Sequence, residues 1–128
     1  MALIHIKNEN YKKALQNINK VIQLKGHSKE LLINKLTILL ALQDYKEYEE
    51  ILLSLIRHYP EETQFYGLLA EFYTEMNQPE KAIDAYNQLF TIDSTHSIGQ
   101  LSIAEFYRVN KQYDSAFVYV RKAFNNDN

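Results

Sequence analysis

The four residues Ala-Glu-Phe-Tyr occur twice in this chain, starting at Ala70 and at Ala104, a step of 34 residues (104 − 70). Ala82 and Ala116 are separated by the same step. Short polar breaks keep that period too: "NEN" before Tyr11, "QD" before Tyr45, "NQ" before Pro79 and "KQ" before Tyr113. Within the period the apolar spacing is helical. Leu69, Phe72, Tyr73 and Met76 fall at i, i+3, i+4 and i+7, and Ile103, Phe106 and Tyr107 repeat the first part of the pattern. Alternation of the kind a strand needs is absent. A second set of breaks, near Gly26-His27-Ser28, Pro60-Glu61-Glu62 and Asp93-Ser94-Thr95, divides each period into two helices. Pro79 suits the first turn of a helix, where its missing N–H costs nothing. The chain therefore reads as all-α, built from repeated helix hairpins.

With 128 residues, 46% of them hydrophobic and 23% charged, the chain can bury a core without metal or disulfide staples. Its net charge is −2, and acidic and basic residues are interspersed. No basic stripe marks a nucleic-acid footprint, so DNA and RNA are not expected partners. Without cysteine there is no disulfide, thiol nucleophile or thiolate metal site. The redox compartment is therefore unreadable, and cytoplasm and periplasm stay equally open for a soluble chain. The richest apolar run, "LTILLAL" at Leu36 to Leu42, is far short of the roughly 18 residues that suggest a membrane span. "MALIHIKNEN" does not read as a signal peptide, because His5 and Lys7 interrupt its apolar stretch.

A period of 34 with two helices per unit resembles the tetratricopeptide repeat family. The unit at 63–96 carries the resemblance most specifically, with Leu69, Ala70 and Tyr73 in its first helix and Ala82 and Tyr86 in its second. The unit at 97–128 matches at Ile103, Ala104, Tyr107, Ala116 and Ala123. In the unit at 29–62, Pro60 stands where the family closes a repeat, but Leu36 and Tyr48 replace the small residues. A partial unit at 1–28 matches at Ala14 and Val21. The resemblance implies a single domain over 1–128, a right-handed α-α superhelix, or solenoid, of antiparallel helix hairpins. A residue with no more than a methyl group at a helix crossing allows the close end of the 8–10 Å interaxial range. Ala70 with Ala82, and Ala104 with Ala116, are read as those crossings, whereas Leu36 and Tyr48 should hold their helices further apart.

The resemblance also implies a concave groove lined by the first helix of each unit. Its lining positions are Glu30, Ile33, Asn34, Thr37, Leu40 and Ala41, then Gln64, Gly67, Leu68, Glu71, Thr74 and Glu75, then Ile98, Leu101, Ser102, Glu105, Arg108 and Val109. The expected peptide contacts are Asn34, Thr37, Gln64, Leu68, Glu71, Thr74, Glu75, Leu101, Glu105 and Arg108. Such a lining is acidic and partly apolar and suits a basic or amphipathic peptide. The repeated Ala-Glu-Phe-Tyr then divides its work: alanine and the aromatics pack, and Glu71 and Glu105 are left free for solvent or ligand. Exposed glutamates of this kind are also ordinary solvated helix residues. Chaperone-binding members of the family grip a C-terminal carboxylate with lysine, asparagine and arginine; Ile33, Thr37, Leu68, Ile98 and Ser102 stand at those places here, so that clamp is missing. Gly67 is costly in mid-helix, by about 1 kcal/mol relative to alanine, and fits either a close approach or a tolerated surface glycine.

Catalysis finds no support in the sequence. His5, His27, His58 and His96 are scattered near helix ends without zinc-binding spacing, and neither a phosphate loop nor a nucleophile turn occurs. No enzyme activity, cofactor or metal is expected. The leading expectation is a non-enzymatic module that binds a peptide or partner protein in its groove. The alternative is a structural or self-association segment of a longer repeat protein. The two differ in where apolar surface is exposed: at Leu68, Thr74 and Leu101 for a groove reader, at the terminal helices for an assembler. At the C-terminal end "YDSAFVYVRKAF" places Phe117, Val120 and Phe124 at i, i+3 and i+7, a stripe expected to meet another copy as a homodimer. At the other end the short first helix is expected to leave Ile18 and Val21 incompletely covered.

Overall fold

A computed structural model describes the backbone of residues 2–126 and the side chains of residues 8–125; His5 and the terminal "NNDN" beyond Asn125 lie outside the described side chains. The described residues form seven helices and no strand: α1 (Ala2–Lys25), α2 (Lys29–Ala41), α3 (Tyr45–His58), α4 (Thr63–Glu75), α5 (Pro79–Ile92), α6 (Ser97–Val109) and α7 (Tyr113–Asn126). They gather into two compact units, residues 1–58 and 59–128.

The 34-residue period is visible in the backbone itself. Gln43, Asn77 and Lys111, each one period apart, are the non-glycine residues with positive φ, at 60°, 58° and 61°. Each closes a helix in the same way. The N–H of the following residue reaches five residues back: Asp44 donates to the Leu39 carbonyl at 2.9 Å, Gln78 to Tyr73 at 2.8 Å and Gln112 to Tyr107 at 2.8 Å. This left-handed closure satisfies carbonyls that a helix end leaves orphaned and turns the chain sharply enough for an antiparallel partner. The next helix then starts within two residues, with Pro79 in the first turn of α5.

The sequence also predicts a break at "NEN", and the structure corrects this: α1 runs unbroken through Asn8, Glu9 and Asn10. The reason is energetic. Each asparagine costs only about 0.5 kcal/mol of helix propensity. That is too little to end a helix unless a neighbour folds back on it, and Glu9, in register with Gln43, keeps a helical φ. The longer helix also covers more than the sequence predicts. Ile18 and Ile22 are buried and Val21 is half-buried, where α1 packs on α2.

In the first unit Leu36 and Tyr48 are both buried, and α2 packs on α3 less closely than α4 on α5 or α6 on α7. That is the expected result of two large side chains at a crossing. In the second unit the equivalent residues are Ala70 and Ala82, then Ala104 and Ala116, all buried. Phe65, Leu69, Leu89 and Ile103 are among the other residues of its core. Where α6 packs on α5, Gly99 is buried. A Cβ built there would stand 3.0 Å from Phe90 Cε1 and 3.0 Å from Tyr86 Cδ1, so only glycine fits without moving a ring. Gly67 differs, since nothing lies within 4 Å of its missing Cβ. No close approach within the described chain explains it.

Two stability outcomes follow from these turns and crossings. Lys111→Gly removes the cost of a side chain in the left-handed region and should stabilise the fold by up to about 1 kcal/mol. Ala70→Leu should overpack the α4–α5 crossing and destabilise it by about 1–3 kcal/mol. Urea denaturation midpoints of the two variants against the parent check both signs.

Candidate binding groove

Within the second unit, α4, α5 and α6 enclose an open trough of about 610 Å³. Buried Ala82, Tyr86 and Ile103 form its floor. Apolar side chains of α6 rise from one wall: Ile98 is 70% exposed, Leu101 49% and Val109 63%. The last turns of α4 supply the other wall with Glu71, Thr74 and Glu75. An exposed stripe of large aliphatic side chains is costly to hydrate, so a surface of this kind has apolar contact to offer a ligand.

The polar groups of the trough divide by whether they are already satisfied. Thr74 donates its hydroxyl to the Ala70 carbonyl at 2.8 Å, and Ser102 to the Ile98 carbonyl at 2.9 Å. Both are spent on their own helices. Glu105, expected to be free, is not: Arg108 one turn on donates to it from Nε at 2.9 Å and from Nη2 at 2.6 Å. That two-pronged hydrogen bond and the charge of Arg108 hold the Glu105 carboxyl below its usual range, and Glu105 in turn raises the Arg108 guanidinium. Among the described residues Glu71 and Glu75 have no such partner, and both are exposed. Glu71 and Glu75 therefore set its charge.

Of the residues expected from the sequence, Glu71, Thr74, Glu75, Leu101 and Glu105 come together in this trough. Arg108 does not line it and acts through Glu105. Gln64 is exposed and Leu68 half-buried on α4, both outside the lining. Asn34 and Thr37 are exposed on α2, in the other unit, where Thr37 donates to the Ile33 carbonyl. The sequence reading missed the second helix: Pro79, Ala82, Ile83 and Tyr86 of α5 all line the trough. Their spacing of i, i+3, i+4 and i+7 is the signal that could have found them.

The histidines have structural work where their side chains have described partners. His96 caps α6, its Nδ1 accepting from the Gly99 N–H at 3.0 Å, and His58 Nδ1 lies 2.8 Å from the Ser54 carbonyl. Among the described residues no three histidine, aspartate or glutamate side chains gather as a metal site would require. No helix there is long and apolar enough to cross a membrane.

Residues 63–96 match the profile of the tetratricopeptide repeat family. Comparison with solved structures finds the same fold. A crystal structure of MamA superposes with a TM-score of 0.77 at 21% identity, covering 91% of this chain and 68% of that one. MamA 41-end from Desulfovibrio magneticus RS-1 gives 0.74 at 20% identity, covering 93% and 67%. The chain thus spans about two thirds of the length of these structures. The fold class is the all-α solenoid of antiparallel helix hairpins, and the family's general role is protein–protein interaction. Comparison with curated protein sequences gives no significant match.

The Glu105–Arg108 pair has a testable consequence. Its lowered carboxyl pKa contributes stability above the ordinary glutamate range, and that contribution is lost as pH falls through the lowered value. Both groups are fully exposed, so the effect on stability is small. The titration itself should move: in Arg108→Ala the Glu105 carboxyl should rise towards its ordinary range, as read by carboxyl-carbon NMR, and no movement would show that the pair does not persist in solution.

Proposed function

We propose that this chain is a non-enzymatic interaction module whose α4–α6 trough takes a basic, amphipathic peptide segment of a partner protein. One observation carries the reading: the trough combines exposed aliphatic side chains with two carboxylates, Glu71 and Glu75, that have no cation of their own among the described residues. Apolar anchors of a peptide would sit between Ile83, Leu101 and Val109, and a lysine or arginine beside them would meet the α4 wall. Contact area would supply affinity and the carboxylates orientation and partner choice. Thr74 and Ser102 offer no free donor, which disfavours a ligand that needs to be read by many hydrogen bonds.

The absence of the carboxylate-gripping residues at Leu68, Ile98 and Ser102 points away from a C-terminal carboxylate as the recognised group. Glu105 contributes less than Glu71, because Arg108 already neutralises it. Binding of a Lys/Leu-rich amphipathic peptide should therefore weaken at least ten-fold in Glu71→Lys with Glu75→Lys and show a reduced on-rate at low salt. Arg108→Ala, which releases a third carboxylate, should strengthen it. Calorimetry at two ionic strengths distinguishes the cases, and unchanged affinity in the double reversal would remove the trough as the site.

A further inference from the structure

The outward face of α7 carries Tyr113, Phe117, Val120 and Phe124, exposed by 62%, 62%, 45% and 71%. One period earlier the same four positions are Pro79, Ile83, Tyr86 and Phe90 of α5. There they are met by a helix: the first three line the trough with α6, and Tyr86 and Phe90 close on Gly99. The face on α7 is thus of a type that a helix covers, and among the described residues no helix covers it. No residue of α7 lines the trough, so this surface is separate from the peptide site.

We infer that α7 pairs antiparallel with α7 of a second copy of this chain. The spacing of the exposed residues, four, three and four, is that of a two-heptad seam. Antiparallel alignment sets Tyr113 opposite Phe124 of the second copy and Phe117 opposite its Val120, so every large side chain meets another. The charges select this direction. Asp114 and Arg121 both flank the seam on the same side, one residue after Tyr113 and one after Val120. Both are exposed, and among the described residues neither has an ion-pair partner. Antiparallel pairing brings Asp114 of each copy beside Arg121 of the other, twice by symmetry, and opposes the helix dipoles. Parallel pairing places these two positions of one copy on the opposite side of the seam from those of the other, so neither charge meets its complement. The four side chains bury roughly 400 Å² per copy, about half of what a stable specific interface buries on each side, so the dimer is weak and reversible.

Sedimentation velocity of the full chain over a micromolar to submillimolar series should show a monomer–dimer equilibrium. Asp114→Arg alone, and Arg121→Asp alone, should each weaken association at least ten-fold, and the double variant carrying both should restore it. Both changes are at exposed positions, and circular dichroism checks that helicity is kept. Direction is read by crosslinking, because the chain has no cysteine of its own. Mixed Tyr113→Cys and Phe124→Cys chains should form a disulfide-linked heterodimer, whereas Tyr113→Cys alone should not link to itself across about 16 Å of helix. A monomer at every concentration, or self-linking of Tyr113→Cys without the mixed product, would overturn the proposal. Neither result bears on peptide binding in the trough.

Discussion

The second unit depends on close approach of antiparallel helices at alanine. Ala70, Ala82, Ala104 and Ala116 are all buried, α4 packs closely on α5 and α6 on α7, and side chains no larger than a methyl group are what such spacing permits. Once the helices are that close, the left-handed turns at Asn77 and Lys111 can join them within a few residues. Aromatic and aliphatic residues beside the alanines then fill the remaining space, and each hairpin is left with one apolar face it cannot bury itself. The first unit shows the converse. With Leu36 and Tyr48 at its crossing, α2 and α3 stay further apart although the turn at Gln43 is the same.

That leftover face explains both candidate surfaces. On α5 it is covered by α6, but the fit is incomplete: Tyr86 and Phe90 close on Gly99 at one end, while Pro79 and Ile83 line an open trough at the other. On α7 the same positions are exposed along their whole length. Function on this scaffold is therefore a matter of which repeat positions stay uncovered and what charge surrounds them. In the trough the surround is acidic, from Glu71 and Glu75. On α7 it is one aspartate and one arginine, which is self-complementary.

Much of the fold was legible because the period is written in residues whose size or chemistry is restricted: alanine at crossings, proline at a helix start, aromatics beside them. The closing turns were legible as breaks but not as turn type, since Gln43 and Lys111 lack the glycine that usually marks a left-handed residue. The break at "NEN" misled because its polar residues resemble the others while the packing that enforces a turn is missing. The trough was half legible. The assumption that first helices line it found Glu71 and Leu101 but hid the α5 stripe. The partnership of Glu105 with Arg108 stood in the sequence at i, i+3 and was passed over because each residue was read as facing a ligand rather than its own helix.

The central claim is that the α4–α6 trough is the binding surface, and amide NMR during titration with a basic amphipathic peptide tests it most directly. Shifts clustered at Glu71, Glu75, Ile83, Leu101 and Val109, with the α2 residues Asn34 and Thr37 unmoved, are the predicted result. Saturable shifts concentrated on any other surface, with the trough residues silent, would contradict it.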